Sequence, residues 1–336
     1  MRRCKTLLWV GEVIVICSLA ASAGPLGASP DPEAQSAHKV ATFSIVARDP
    51  ATGELGVAVA SKFFAVGSVV PWGRAGVGAV ATQAFANTTF GWRGLDLLAM
   101  GATPEEARDI LLRTDTDPEQ RQFGIVSNDG SSVTYTGSEC LAWAGGRSGA
   151  DYAIQGNILA GEEVVAAMES VFVETGGPLA ERLYAALLAG EREGGDSRGK
   201  ESAALLVVKE KAGYGGYTDR AIDIRVDDSP EPFKELGRLL KMAQVNYGWN
   251  EAWTLFTEGK GVDALPYMER TAGLAPDNAE VLYDLAVIRL AAGKTDAALE
   301  ALRKALQLNP NLKQQAAQDD DLAGLHGVPG FEELVK

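Results

Sequence analysis

Histidine is almost missing from this chain. Two occur in 336 residues, His38 ahead of the first strand-like stretch and His326 in the tail. Ser-His-Asp and Cys-His nucleophile pairs are therefore excluded in the β-rich part, and so is a histidine-based zinc site. Cysteine is nearly as scarce. Cys4 and Cys17 lie in the first 23 residues, which leaves Cys140 alone in the rest of the chain and no internal disulfide. Beside Leu141 and Trp143, Cys140 reads as a buried small hydrophobe. Positive charge is in deficit, with a net charge of −14, and a phosphate backbone needs clustered Lys and Arg; no nucleic-acid partner is expected. No apolar run is long enough for a permanent membrane span: Glu12 interrupts the first one and leaves Val13 to Ala21.

What is present begins with a targeting pattern. Arg2, Arg3 and Lys5 precede that short apolar run, and Ala21-Ser22-Ala23 supplies small residues at a cleavage site. Residues 1–23 read as a signal peptide, 24–41 as a Pro-, Ala- and Ser-rich leader, and the protein as exported, periplasmic or extracellular. No lipid anchor or stable membrane anchor is expected.

Alternating strand patterns follow at 42–48 and 55–61, then near 76–84, 121–127 and 132–136, the last two joined by the hairpin signal SNDGS. Thr103 and Glu106 form a capping box ahead of a helix with Pro104 at its first position. Helices are expected near 162–173 and 178–190, the second closed by Gly190, then strands SAALLVV and RAIDIRV and a helix near 231–246. Paired strands with helices between the pairs predict an α+β layering of sheet and helix. In the C-terminal part Gly259 and Gly293, Ala264 and Ala298, and Pro276 and Pro310 repeat at the period of a tetratricopeptide helix pair. Leu282, Leu285, Ala286, Ala298, Leu302 and Ala305 fall at its packing positions, and Gly327 hints at a truncated third copy. Such repeats bind a partner protein or cap a neighbouring domain.

Several lookalikes fail on context. GVGAVA at 76–81, with Asp96 at the ribose-binding distance, has no βαβ unit around it. The GKT at 293–295 lacks the first glycine of a phosphate loop. Asp115 and Asp117, and Asp319 to Asp321, lack calcium-loop spacing. Asn87-Thr88-Thr89 is a glycosylation sequon, meaningful only in a eukaryotic secretory pathway. No metal and no organic cofactor is implied.

Without histidine, a nucleophile needs another base. A threonine at the start of a mature chain has one in its own α-amine, whose ordinary pKa is about 7.7–8.0. Thr42 opens the first strand and fits that role; it equally fits a plain strand position, which favours β-branched residues.

The segments ATFSIVARDPATGELGVAVASKFFAVGSVVPWGRAGVGAVATQAFAN, QGNILAG and GGDSRGKESAALLVV closely resemble the domain of unknown function 1028 family, placed among the N-terminal-nucleophile (Ntn) hydrolase-like proteins. The resemblance runs from Thr42 to about Asp228. It implies a four-layer αββα sandwich over 42–228 with the nucleophile at the start of the first strand; the helix signal beyond it gives a connecting helix over 229–248, and the repeat period gives tetratricopeptide-like repeats over 249–336. Here a leader precedes Thr42, and Lys39 disfavours signal-peptidase cleavage directly before it. Self-cleavage of Ala41–Thr42, as other proteins of this fold perform, is what the resemblance requires.

Further roles follow from position and chemistry. Asp196, in a glycine-flanked loop, can orient the α-amine or simply hold a turn. Arg198 can pair with it or clamp a substrate carboxylate. Lys62 can lower the amine's proton affinity by its charge or be a solvated strand end. Asn157, with the backbone near Gly156, is a candidate oxyanion donor. Gln83 and Asn87 can bond an amide substrate or hold turns and edges, and Ser202 can relay a proton or start a strand. The expected function is amide hydrolysis by Thr42 on a small-molecule or peptide substrate. The alternative is a non-catalytic binding protein on the same scaffold, with partner contacts through the repeats. A homo-oligomer stays open.

Overall fold

The alternation expected for the first strand is present from its first residue. The computed structural model describes residues 41–336, so the expected signal peptide and nearly all of the expected leader, His38 included, lie outside the described residues. The chain runs through β1 (Thr42–Arg48), β2 (Leu55–Ser61), β3 (Pro71–Arg74), β4 (Gly78–Ala84), α1 (Thr89–Ala99), α2 (Pro104–Arg113), β5 (Arg121–Ser127) and β6 (Ser132–Thr136). It continues with β7 (Gly145–Gly149), β8 (Tyr152–Asn157), α3 (Glu163–Glu174), α4 (Leu179–Arg192), β9 (Ser202–Val208) and β10 (Arg220–Val226). Helices follow: α5 (Pro232–Thr257), α6 (Gly261–Leu274), α7 (Ala279–Ala291) and α8 (Thr295–Leu308).

Two antiparallel sheets form, in the orders β10-β9-β2-β1-β8-β7 and β3-β4-β5-β6. Period-2 alternation gives each β1 residue one of two destinations. Val46, with Val57 and Val59 of β2, packs between the sheets against Val70, Ala79, Ala81 and Val126. Phe43, Ile45 and Ala47 point the other way, onto Val164 and Met168 of α3 and Leu183 of α4. The second sheet turns Val80, Phe123 and Ile125 outward against Phe90 and Leu95 of α1 and Leu111 of α2. Helix, sheet, sheet and helix are thus stacked, and β1 is buried because both its faces are covered.

Local signals in the sequence hold where they are strong. Thr103 Oγ1 accepts from the Glu106 amide at 3.2 Å while a Glu106 carboxylate oxygen accepts from the Thr103 amide at 2.9 Å. Helix α1 and strand β7 carry weak signals and were not legible. Helix α1 contains Gly91 and Gly94, poor helix formers; a Cβ at Gly91 would sit 2.2 Å from the Trp72 ring, so the glycine permits close packing on β3. β7 reads GGRSG and exists through its pairing with β8. Gly190 does not close its helix, which runs on to Arg192. A Cβ there would meet Met168 at 2.9 Å and the Phe43 ring at 3.2 Å, so glycine lets α4 approach β1. The GVGAVA stretch is the turn and strand of the β3–β4 hairpin, with Gly76 at φ +70°, and Asp96 pairs with Arg74 at 2.8 Å. Cys140 is half-buried, not buried; its Sγ lies 3.5 Å from the Arg121 carbonyl oxygen, and burial pushes the thiol's pKa up.

The boundary expected near residue 248 falls inside one continuous helix. The first half of α5 packs Phe233, Leu236 and Leu240 on the sandwich, and its second half packs Ala252 with Trp249 and Trp253 on the repeats. Both indole N–H groups donate to one Asp284 carboxylate oxygen on α7, at 2.6 and 2.7 Å. Gly259 and Gly293 take φ +77° and +75° at equivalent turns, and the six expected packing positions of the second copy are buried.

Candidate active site at the start of the first strand

Antiparallel register assembles the site. Thr42 at the start of β1 pairs with Ser61 at the end of β2 and with Asn157 at the end of β8; Ser61 in turn pairs with Ser202 at the start of β9. Directly opposed residues project to the same face of a sheet. The result is a row Asn157–Thr42–Ser61–Ser202 across four adjacent strands, every member buried.

Within this row the hydroxyls are connected. Thr42 Oγ1 donates to Ser61 Oγ at 3.2 Å, and Ser61 Oγ donates to the carbonyl oxygen of Ala41 in a short hydrogen bond. The same carbonyl accepts from Arg198 Nη2 at 3.3 Å. The peptide carbonyl just before Thr42 thus holds two donors, one of them cationic, beside a threonine hydroxyl. Nothing in the sequence pattern marked Ser61; its strand-end position opposite Thr42 follows only once the hairpin register is known.

Asp196 anchors the guanidinium. It is buried, accepts from the Lys62 amide at 2.8 Å and the Arg198 amide at 2.9 Å, and binds Arg198 Nη2 at 3.0 Å. Arg198 Nη2 also reaches the Lys62 carbonyl at 3.1 Å. The loop can do this because Gly194, Gly195 and Gly199 adopt positive φ, and because Leu159 bridges to Asp196. Asp196 and Arg198 are therefore one unit that presents a fixed cation to the Ala41 carbonyl.

Behind Thr42 lies a buried amide cluster between the sheets. Gln83 Nε2 donates to the Thr42 carbonyl at 3.1 Å and to Gln122 Oε1 at 2.9 Å. Asn157 Nδ2 donates to the same Gln122 oxygen at 2.9 Å. Ser44 Oγ donates to Gln83 Oε1 and accepts from Gln155 Nε2, both at 2.6 Å. Gln122 and Gln155 were missed from the sequence, although each is an amide next to a large apolar residue in its strand, a detectable signal. Gly124 leaves room for Gln155, whose Oε1 would lie 2.1 Å from a Cβ there.

The other expected residues sit differently. The Lys62 amine pairs with Glu201 at 3.1 Å, and it is the Lys62 backbone that meets the site. Ser202 Oγ accepts from the Val66 amide and donates to the Phe63 carbonyl, which fixes the loop after β2. Asn87 is apart from the row: its Oδ1 accepts from the Thr89 amide at the start of α1 and its Nδ2 donates to Asp115 at 2.6 Å. Asp115 is buried against Arg121 at 2.8 Å. Burial pushes the Asp115 carboxyl up, but hydrogen bonds from Arg121 and Asn87 outweigh it and hold the group at about 2. Among the described residues no group of three or more His, Cys, Asp or Glu is placed to hold a metal ion, and no helix is long and apolar enough to cross a membrane.

Residues 42–236 match a family of unknown function, DUF1028, and residues 255–319 match a tetratricopeptide repeat. The crystal structure of protein SPO2555 from Silicibacter pomeroyi, itself assigned to DUF1028, is similar at 32% identity with a TM-score of 0.55. That similarity covers 61% of this chain and 89% of the other. No curated protein matches. The chain belongs to the DUF1028 family, and carries tetratricopeptide repeats after the family domain.

Proposed function

We propose that this protein is an exported Ntn-type hydrolase that frees its own Thr42 and then uses it on an amide substrate. The observation that carries the reading is the Ala41 carbonyl, held by Ser61 Oγ and Arg198 Nη2 beside the Thr42 hydroxyl. In self-cleavage Thr42 Oγ1 attacks the Ala41 carbonyl carbon. Negative charge develops on the oxygen that the two donors already hold, so no reorganisation is needed. Collapse breaks the C–N bond, the hydroxyl proton ends on the nitrogen, and an ester joins Ala41 to Thr42. Water hydrolyses that ester, leaving an Ala41 carboxylate and a free Thr42 α-amine.

The same donors then serve turnover. The free amine takes the Thr42 proton as the hydroxyl attacks a substrate amide, and Ser61 with Arg198 holds the new oxyanion. Asp196 keeps Arg198 in place. Gln83 fixes the Thr42 backbone, and Asn157, opposite Thr42, is a further polar group at the reacting face. The repeats offer a surface for a protein partner.

Intact mass and N-terminal sequencing of the purified protein test this directly. A chain that starts at Thr42 is expected; a stable, homogeneous chain that starts ahead of it overturns the mechanism. The complete burial of Thr42 behind Ala41 favours a second reading, a binding protein on this scaffold, which that second outcome would support.

A further inference from the structure

A separate cavity of about 250 Å3 lies where the sandwich meets the repeats, at the opposite end of the β1–β2 hairpin from the Thr42 row. Its floor is apolar, from Ala180 of α4, Val207 of β9 and Ile222 of β10, and Tyr247 of α5 and Tyr267 of α6 line it from the helical side. Asp49 and Glu54, both buried, supply the acidic groups of the lining. Asp49 is occupied in holding its own turn, accepting from the Ala51 amide at 2.8 Å. Glu54 accepts from the Tyr247 hydroxyl at 3.1 Å.

The charge balance points one way. Two cations also line the cavity, but each is matched: Lys209 lies 3.5 Å from Glu251 and Arg270 lies 2.6 Å from Glu181. Among the described residues neither Asp49 nor Glu54 forms an ion pair of its own; Lys209, paired with Glu251, reaches Glu54 only as a nearby charge. Burying a carboxylate in an apolar recess is costly unless something compensates it, and burial raises the Glu54 pKa despite the Tyr247 bond and the nearby Lys209 charge. Tyrosine rings beside a carboxylate are a chemistry that favours an organic ammonium, through ring quadrupole and charge together. The volume is below the ~300–1,000 Å3 of pockets for drug-sized ligands, so the occupant is small.

We infer that this junction is a binding site for a small organic amine, its ammonium toward Glu54 and the two tyrosines and its apolar body on Ala180, Val207 and Ile222. Both the sandwich and the repeats line the site, so an occupant touches both. The site stands independently of the amide hydrolysis proposed above.

The test uses the full chain and 2-phenylethylamine as the probe, with phenylacetate and 2-phenylethanol as anionic and neutral matches, followed by titration calorimetry. Saturable binding of the amine is expected, at least tenfold tighter than either match, with a tenfold or greater loss in Glu54→Gln. Methyl chemical-shift changes in the wild-type chain should centre on Ala180, Val207 and Ile222. Should Glu54→Gln fail to melt cooperatively, that wild-type map decides. Shifts centred elsewhere, equal binding of phenylacetate, no saturation by the amine, or full affinity in a folded Glu54→Gln each overturn the assignment.

Discussion

Thr42 and Ser61 face each other across β1 and β2, with Oγ1 and Oγ 3.2 Å apart, and Ser61 passes the hydrogen bond on to the carbonyl of the residue before Thr42. One antiparallel register therefore joins the proposed nucleophile, a connecting hydroxyl and a peptide carbonyl with two donors in one hydrogen-bonded chain.

Ser61→Ala is expected to slow release of the segment ahead of Thr42 by roughly 10²–10³, the usual effect of removing one oxyanion donor. Arg198→Met should do the same more severely, since a cation is lost. Time-resolved intact mass after expression reads both. Unchanged processing in either variant would move the carbonyl activation elsewhere.

Replacement of Thr42 by Ala should abolish amide hydrolysis while leaving a folded protein, because the loss of one methyl and one hydroxyl costs about 1 kcal/mol against a typical domain stability of about 5–15 kcal/mol. Thr42→Ser should retain partial activity. Ser44→Ala makes the contrast: it strands Gln83 Oε1 and Gln155 Nε2 without that hydroxyl and should cost about 1–3 kcal/mol of stability, with hydrolysis retained. Hydrolysis of a panel of small amides, with thermal melts alongside, separates the two; loss of activity in Ser44→Ala alone would point to the wrong hydroxyl.

Asp115→Asn should destabilise the fold by about 3 kcal/mol, because it leaves the buried Arg121 guanidinium with only the longer, 3.8 Å contact to exposed Asp117. The Asp115 carboxyl sits at about 2 against an ordinary 3.8. Its contribution is present above 3.8 and is lost as pH falls toward 2. Urea midpoints at pH 7 and pH 2.5 should therefore differ much less between variant and wild type at the lower pH.

Glu54 has the opposite sign. Burial raises its carboxyl above the ordinary 4.5, so the stability linked to it is present below 4.5 and fades as pH rises through the raised value. Glu54→Gln keeps an acceptor for Tyr247 and should gain in melting temperature relative to wild type at pH 8, with little gain at pH 4. A pH-independent difference would contradict this.

Cutting the chain after residue 248 divides α5 between its two sets of partners. Residues 42–248 keep Phe233, Leu236 and Leu240 on the sandwich and should fold with a lowered melting temperature. Residues 249–336 keep Trp249, Trp253 and Asp284 but lose the first part of the helix, including Val245, and should not melt cooperatively alone. Circular dichroism of both fragments checks this.

Much of this architecture was legible because it is local. Alternation in TFSIVAR and LGVAVAS, the Thr103–Glu106 capping box and the matching glycines at 259 and 293 act within a few residues, so spacing alone determined those elements and the repeats. The near-absence of histidine likewise excluded whole classes of chemistry without any coordinates. The glycine-rich strand β7 and helix α1 were not legible, because pairing and close packing hold them against poor local propensity. The site belongs to the same second kind. Thr42 and Asp196 were singled out from the chain, but Ser61 is set opposite Thr42 by hairpin register, and Arg198 reaches the Ala41 carbonyl across 157 positions of sequence. Gln122 and Gln155 come to the back of that row on separate strands of separate sheets. A sequence states which side chains are available; only the closing of two sheets on each other decides which of them share one buried carbonyl.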